Sequence, residues 1–242
     1  MKFCVCSSLL SDEALHVLRE SFPVILLPPD NDLPEPIRCH PDSIFTVIGR
    51  DLILSASYAA AHPETVHAIA SCGQFRIVLS DARREPVYPH DAGLNAAVGQ
   101  NFVICRPESA APEILQSAGH CGYSLIPVRQ GYAGCACLVT DDAVLTGDPG
   151  ISRVLASHGI HALLLSNEGI RLPGYRSGFI GGACGFSDGI IYVNGNPVTL
   201  PCYPTLRAFA DSSGYSIRSL TSDCVTDVGG IRFFDSPKER RL

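Results

Sequence analysis

Tryptophan is absent from the 242 residues, methionine occurs once, and only 17% of the residues are charged. Lysine and arginine number 18 against 24 aspartates and glutamates, so the formal net charge is −6. A protein that binds nucleic acid or an anionic membrane surface usually displays a basic excess. Because this sequence has none, we expect neither a nucleic-acid partner nor a membrane partner.

Long hydrophobic runs are also absent, although 46% of the residues are hydrophobic. The apolar segments, such as residues 162–165, are far shorter than the roughly 20 residues that cross a bilayer. The first six residues are typical of a strand and lack the long apolar core and cleavage site of a secretory signal peptide. We therefore expect a cytoplasmic protein.

The 11 cysteines form an odd number, whereas secreted disulfide scaffolds are usually shorter and have an even count. Several of them lie in apolar segments, where cysteine packs as a small hydrophobic residue. The spacing of Cys135 and Cys137 fits neither the usual zinc motifs nor the thioredoxin motif. We expect reduced thiols, with no cofactor and no metal.

A repeated order of elements runs through the sequence, with weak identity but a clear pattern. In residues 111–146, a helical stretch at 112–117 is followed by a glycine and then by an apolar strand at 123–128. A polar loop then leads to a hairpin at 135–146, which turns at Asp141 and Asp142. Apolar residues at helical spacing, a glycine after the helix and a polar turn are the signals of such elements.

The same order recurs four more times. The other helical stretches are 12–21, 63–72, 151–158 and 205–212, and the strands after them are 23–27, 75–79, 160–165 and 215–220. The other hairpins are 43–55, 94–105 and 180–193, with a partial hairpin at 224–234. A spacing of roughly 40–50 residues between hairpin turns is typical of repeat architectures.

We predict an α/β fold in which five units form a pseudo-fivefold β/α propeller, with the first strand of each hairpin innermost. One domain would cover residues 1–235, followed by a polar tail at 236–242. The alternative is a doubly wound α/β sheet. A plain strand–helix–strand series has no place for the extra hairpins, and neither a Gly-x-Gly-x-x-Gly after the first strand nor a Walker loop is present.

Polar and nucleophilic side chains collect just before or at the start of the hairpins, which a ring of units would bring to its axis. They are His40 and Asp42 in the first unit, Asp91 and Asn95 in the second, Gln130, Tyr132 and Cys135 in the third, Cys184 in the fourth, and Asp227 in the fifth. A thiolate is a strong nucleophile, and histidine can protonate a leaving group. Carboxylates bind cations through charge-assisted hydrogen bonds. This combination fits attack on a guanidinium or amidinium carbon.

Residues 40–46 resemble the His-x-Asp-x-x-Phe motif of arginine deiminases, and five such units resemble the pentein superfamily. That superfamily includes deiminases, dimethylarginine dimethylaminohydrolases and amidinotransferases. The resemblance implies that His40 is the general acid and base and that Asp42 binds the guanidinium group. Cys135 falls where the deiminases have their nucleophile, although the preceding loop lacks their Gly-Gly-x-x-Cys form.

The resemblance therefore implies a cysteine-dependent hydrolase or amidinotransferase acting on a cationic guanidino or amidino small molecule. Cys135 and His40 would be catalytic. The residues predicted to bind substrate are Asp42, Asp91, Asn95, Gln130, Tyr132 and Asp227. A narrower resemblance, carried by residues 40–42, 130–132, 178–182 and 227–229, is to an uncharacterised bacterial family with no known activity.

Three alternatives remain open from the sequence. Cys184 holds the place in the fourth unit that Cys135 holds in the third, and it is the rival nucleophile. The chain could instead be a non-catalytic binding protein, like the pentein-fold translation initiation factor that blocks joining of the ribosomal subunits. A thiol metal site could use Cys39, His40, Cys135 and Cys184, since zinc accepts thiolate and imidazole ligands.

Overall fold

A computed structural model describes residues 1–82 and 85–236. The predicted polar tail, apart from Ser236, lies outside the described residues. The α-helices are α1 Asp12–Arg19, α2 Pro41–Ile44, α3 Ala56–Ala61, α4 Pro63–Gly73, α5 Pro112–His120, α6 Ala133–Ala136, α7 Pro149–Ser157, α8 Ile180–Ala183 and α9 Tyr203–Ser213.

The strands are short, with two to six residues each. They are β1 Lys2–Ser7, β2 Val24–Leu27, β3 Phe45–Ile48, β4 Asp51–Ser55, β5 Arg76–Ser80, β6 Ala97–Val98, β7 Phe102–Cys105, β8 Ser124–Pro127, β9 Cys137–Val139, β10 Val144–Thr146, β11 Ala162–Leu164, β12 Cys184–Ser187, β13 Ile190–Val193, β14 Ser216–Ser219 and β15 Arg232–Asp235.

Across the described ranges, these strands form five separate three-stranded sheets of one topology. Two strands pair antiparallel, as a hairpin in four of the sheets, and a third strand pairs parallel with the second after a helical crossover. The sheets are β3-β4-β5, β6-β7-β8, β9-β10-β11, β12-β13-β14 and β15-β1-β2. The single continuous sheet of the doubly wound alternative is therefore not the architecture of the described chain.

The fifth sheet joins the two ends of the described chain. Strand β15 pairs antiparallel with β1, with Lys2 opposite Asp235, and β1 pairs parallel with β2. The hairpin at 224–234 looked partial because its second strand lies at the N-terminal end. The strand at 23–27 accordingly belongs to this sheet. The same offset holds in the other sheets, where the strands predicted at 75–79, 123–128, 160–165 and 215–220 each pair with the hairpin before them. The prediction that grouped each strand with the hairpin after it, such as 23–27 with 43–55, is wrong.

The first strands of all five sheets line one cavity of about 220 Å³, which we call the axial cavity. Each first strand contributes at least one residue, among them Phe45, Val98, Leu138, Cys184 and Phe233. The arrangement suggests pseudo-fivefold symmetry within an α/β fold. Buried apolar side chains pack in clusters between the sheets and their helices.

Three first strands are preceded by one helical turn where the sequence had predicted strand. Residues 43–44, 135–136 and 180–183 belong to α2, α6 and α8. A short apolar run does not distinguish a strand from a buried helical turn by its periodicity. At α8 this turn packs tightly against the neighbouring unit, since a Cβ on Gly181 would collide with the carbonyl group of Cys137.

Two further boundaries differ from expectation. Helix α3 was missed, although Ser55 caps it by accepting a hydrogen bond from the Tyr58 backbone N–H at 3.1 Å. Gly73 is the last residue of helix α4 and not the residue that follows it. The cap residue is Gln74, which takes the left-handed conformation with φ of 50°. In the described residues, no helix combines the length and apolar character needed to cross a membrane.

Joining of the chain ends can be tested at Phe3. Its side chain is 1% exposed and packs on Phe234 of β15, with ring centroids 5.6 Å apart. We expect Phe3→Ala to lower the free energy of unfolding by about 3–5 kcal/mol, because it removes a buried aromatic ring. Chemical denaturation measures this loss. The control Leu9→Ala, at a 60% exposed site, should change it by less than about 0.5 kcal/mol. Equal effects of the two substitutions would contradict the packing described.

Candidate functional site

The short helix α2 presents two buried polar side chains, His40 and Asp42. Pro41 begins the helix, where its missing N–H costs no intrahelical hydrogen bond, and His40 is the preceding cap residue. The Asp42 backbone N–H donates to the Gly229 carbonyl at 3.2 Å, which ties the first unit to the segment before β15. Both side chains are at most 2% exposed.

Asn95 connects α2 to α6, the helix that carries Cys135. Its Oδ1 atom accepts from the backbone N–H groups of Gly134 at 2.6 Å and Cys135 at 3.2 Å. Its Nδ2 atom donates to Asp42 Oδ1 at 3.2 Å and to Ser43 Oγ at 3.1 Å. The two N–H groups lie in the first turn of α6 and have no partner within the helix. Both polar atoms of the amide therefore serve to align Asp42 with Cys135.

Asp227 is held by the backbone on both sides of its carboxylate. Its Oδ2 accepts from the Phe179 N–H at 2.8 Å, and its Oδ1 accepts from the Gly229 N–H at 3.0 Å. A Cβ at Gly182 would collide with this carboxylate. Glycine is therefore required at position 182 for α8 to approach the buried acid.

Cys135, His40 and Asp227 form a compact cluster. The Cys135 Sγ atom lies 3.7 Å from each oxygen of Asp227, and His40 Nδ1 lies 3.8 Å from Asp227 Oδ1. One atom from each of the three residues lies within 4.8 Å of the other two. The carboxylate is thus in contact with both the thiol and the imidazole, and all three side chains are buried.

The electrostatic environment of the cluster is acidic. Burial raises the pKa of the Cys135 thiol well above its usual value, the charges of Asp227 and Asp42 raise it further, and Arg232 opposes them. Burial also raises the pKa of the Asp227 carboxyl, against the effect of His40, which lowers it. Since two carboxylates disfavour the thiolate, a bound cation would favour it.

Two atoms in this region make no hydrogen bond to any described residue. They are His40 Nδ1 and Asp42 Oδ2, on side chains that are 2% and 1% exposed. Most buried polar atoms in native proteins have a partner, so such atoms call for an explanation. They leave a ring nitrogen and a carboxylate oxygen without a hydrogen bond close to the Cys135 thiol.

The remaining predicted site residues form a second group. The Tyr132 hydroxyl donates to Asp91 Oδ2 at 2.5 Å, and burial followed by this hydrogen bond raises the pKa of Tyr132. Gln130 accepts from the Tyr132 N–H at 3.1 Å and donates to Asp148, the cap residue of α7, at 3.5 Å. Tyr175, which the predicted site did not include, lies near Asp91 and Cys135. Burial is the main cause that raises the pKa of Tyr175, and the charges of Asp91 and Cys135 raise it further.

The described residues contain one set of His, Cys, Asp and Glu side chains placed to hold a metal ion: His40, Cys135 and Asp227. Cys39 and Cys184 of the alternative metal site are not in that set. Cys39 instead accepts a hydrogen bond from Ser8 Oγ at 3.4 Å. The pKa of the Cys184 thiol is raised mainly by its burial and, to a smaller extent, by electrostatic interaction with Cys202.

Arg232 was missed by sequence reasoning. Its Nη2 atom lies 3.8 Å from Asp42 Oδ2 and 3.3 Å from the Gly134 carbonyl oxygen, to which it donates. The available signal was a single cationic residue among the apolar residues at 231–234, on a strand expected to lie innermost. A lysine or arginine at such a position requires a partner for its charge.

Comparison with known proteins places the chain within a family and a fold. A model described as a family of unknown function (DUF6873) matches residues 5–232. No match was found among curated proteins. A dimethylarginine dimethylaminohydrolase variant, solved as an adduct with S-methyl-L-thiocitrulline, is 11% identical with a TM-score of 0.57. That alignment covers 90% of this chain and 91% of the other.

Two further solved structures have similar folds. The amidinotransferase SxtG of Microseira wollei is 11% identical with a TM-score of 0.56, over 96% of this chain and 80% of that chain. The arginine dihydrolase ArgZ from Cyanobacteria is 11% identical with a TM-score of 0.57, over 100% of this chain and 40% of that chain. The fold is therefore that of the pentein superfamily.

The close approach at Gly182 can be tested by adding one methyl group. We expect Gly182→Ala to lower the free energy of unfolding by about 1–3 kcal/mol, because the new Cβ must displace the buried Asp227 carboxylate. Gly119→Ala is the matched control. It lies in α5 with no atom near its Cβ, and it should stabilise the chain by up to about 1 kcal/mol through helix propensity. Similar unfolding energies for the two variants would count against the described contact.

Proposed function

The chain belongs to the family of unknown function DUF6873, and we propose a function for it. We propose that it is a cysteine-dependent hydrolase or amidinotransferase acting on a guanidino or amidino small molecule. The observation that carries the proposal is the meeting of Cys135, His40 and Asp227, with Asp42 close by, in one buried cluster. The four side chains come from three different units. Similarity to enzymes that act on guanidino compounds supports the fold on which this chemistry is placed.

The charge of the cluster supports a cationic substrate. Asp42 and Asp227 are both buried and both disfavour the Cys135 thiolate. A guanidinium group placed between them would offset the two negative charges and lower the pKa of the thiol. Binding of the correct substrate would then generate the nucleophile, because the thiolate is the reactive form.

The proposed reaction begins when the Cys135 proton passes through Asp227 to His40. The thiolate attacks the central carbon, a C–S bond forms, and the C=N π electrons move onto nitrogen. His40 then gives its proton to the departing nitrogen, and the C–N bond breaks. The amine departs, and an amidino group remains bonded to the Cys135 sulfur. Histidine suits this role because its pKa lies near neutrality.

In the second step, a water molecule or an acceptor amine attacks the same carbon. His40 takes one proton from the attacking group, the C–S bond breaks, and its electrons return to the Cys135 sulfur. With water, the second proton released is taken up by the amine that has left, and a urea-type product forms. With an amine, the product is a new guanidinium compound. Asp42 and Asp227 would hold the cation through both steps.

The other predicted site residues take supporting roles in this proposal. Asn95 would position Asp42 and Cys135, because its hydrogen bonds already go to those two elements. Asp91 and Tyr132 would contact the part of the substrate away from the reacting carbon, and Gln130 would hold the Tyr132 backbone.

We also infer a closed five-unit propeller in one domain over residues 1–235. All 11 cysteines are free thiols, which supports a cytoplasmic location.

The second candidate is a non-catalytic binding protein. The observation that favours it is the burial of Cys135, which is 4% exposed and has a raised pKa. A thiol in that state is unreactive until something approaches or opens the site. This candidate predicts that the thiol stays inert in the presence of every guanidino compound.

Turnover decides between the two candidates. We expect the purified protein to convert at least one compound from a panel of small guanidino and amidino molecules. Mass spectrometry of the products and an assay of released amine would measure this conversion. Cys135→Ala should reduce this turnover by at least about a thousandfold, because the covalent step is lost. Cys184→Ala, which removes another buried cysteine, should keep turnover within a few fold of the unmodified chain. Turnover that survives Cys135→Ala and is lost in Cys184→Ala would transfer the role to Cys184, and no turnover of any compound would favour the binding protein.

A further inference from the structure

Arg232 lies between the axial cavity and the buried cluster. It belongs to β15, the first strand of the fifth sheet, and its side chain is 26% exposed. Among the described residues that line the axial cavity, it is the one charged side chain. Arg232 therefore approaches the Cys135, His40 and Asp227 cluster from the axial cavity, which the first strands surround.

The contacts of Arg232 complete a ring of polar interactions across four units. Arg232 donates to the Gly134 carbonyl at 3.3 Å and lies 3.8 Å from Asp42 Oδ2. Asn95 joins the other oxygen of Asp42 to the backbone N–H groups of Gly134 and Cys135. The carboxylate and the helix turn that carries the thiol are consequently held from both sides, by a neutral amide and by a cation.

The charges show what the cation contributes. Two carboxylates, Asp42 and Asp227, lie close enough to the thiol to disfavour its ionisation, and Arg232 acts in the opposite sense. The Arg232 contact is made by the Asp42 oxygen that has no hydrogen bond within the described chain. Without Arg232, that buried carboxylate would keep its full negative charge beside the sulfur, in surroundings that screen charge poorly.

We propose that Arg232 is a positioning residue that holds Asp42 and the α6 turn in place and supplies a positive charge that favours the thiolate of Cys135. It acts through these neighbours and from the axial side, and it is not assigned a contact with substrate. The proposal rests on the proposed function in that Cys135 is taken as the reacting group. Ionisation of the thiol can nevertheless be measured without turnover.

The test follows the rate at which iodoacetamide modifies Cys135 between about pH 6 and pH 10, with the modified residue located by tandem mass spectrometry of the peptide that also contains Cys137. Arg232→Met should slow modification at pH 8 by at least about tenfold and move the profile to higher pH, which corresponds to about one unit of pKa. Arg232→Lys keeps the charge but loses the planar fork, so its profile should lie between those of Arg232→Met and the unmodified chain. Asp42→Asn should move the profile to lower pH, because it removes a negative charge.

Arg218→Met is the matched control. Arg218 is also partly exposed, at 36%, but it pairs with Glu20 on the outer surface, and its loss should leave the Cys135 profile unchanged. Cooperative unfolding in denaturant would show that each variant is folded. If Arg232→Met fails to fold, Arg232→Lys and Asp42→Asn still give shifts of opposite sign.

The proposal is overturned if folded Arg232→Met, or Arg232→Lys where the Met variant does not fold, has the profile of the unmodified chain. It is also overturned if Cys135 in the unmodified chain does not react up to pH 10, because no thiolate would then form with Arg232 in place. Failure of the proposed function has a different signature. In that case no guanidino compound is turned over, while the shifts caused by Arg232 and Asp42 variants persist.

Discussion

The burial of the Asp227 carboxylate is the constraint around which the rest of the site is arranged. A carboxylate removed from water is costly unless hydrogen bonds and opposite charges replace its hydration. Here two backbone N–H groups, from Phe179 and Gly229, provide those hydrogen bonds, and His40 lies within ion-pair distance. Each of these groups belongs to a different segment, so the acid can be satisfied only when those segments come together.

That requirement links the chemistry of the site to the packing of the units. The segment at 227–230 must approach α8 closely, and glycine at position 182 makes this possible. The same segment receives the Asp42 backbone N–H through the Gly229 carbonyl. The short helical turns before the first strands therefore serve as points of contact between units, and each of them also carries or supports a polar side chain of the site.

The surroundings of Cys135 disfavour ionisation of its thiol. Burial and the charges of Asp227 and Asp42 raise the pKa of this thiol well above its usual value, while the positive charge of Arg232 lowers it. Solved structures with the pentein fold include a dimethylarginine dimethylaminohydrolase and an amidinotransferase, so the fold by itself does not decide between the two reaction types of the proposed function.

The sequence by itself determined the order of elements and the identity of most polar residues near the axis. Glycine after a helix, polar hairpin turns and helical spacing are local signals, and they were sufficient to find five units. The choice of Cys135, His40, Asp42 and Asp227 needed two further inputs, their place near the starts of the hairpins and the resemblance of residues 40–46 to the arginine deiminase motif. Only the tertiary structure decided that Asp227 lies between the thiol and the imidazole, that residues 135–136 form a helical turn, and that Arg232 faces Asp42. These features depend on contacts between residues 92 and 98 positions apart, such as Cys135 with Asp227 and Gly134 with Arg232. No local propensity encodes such contacts, because they arise from the packing of one unit against another.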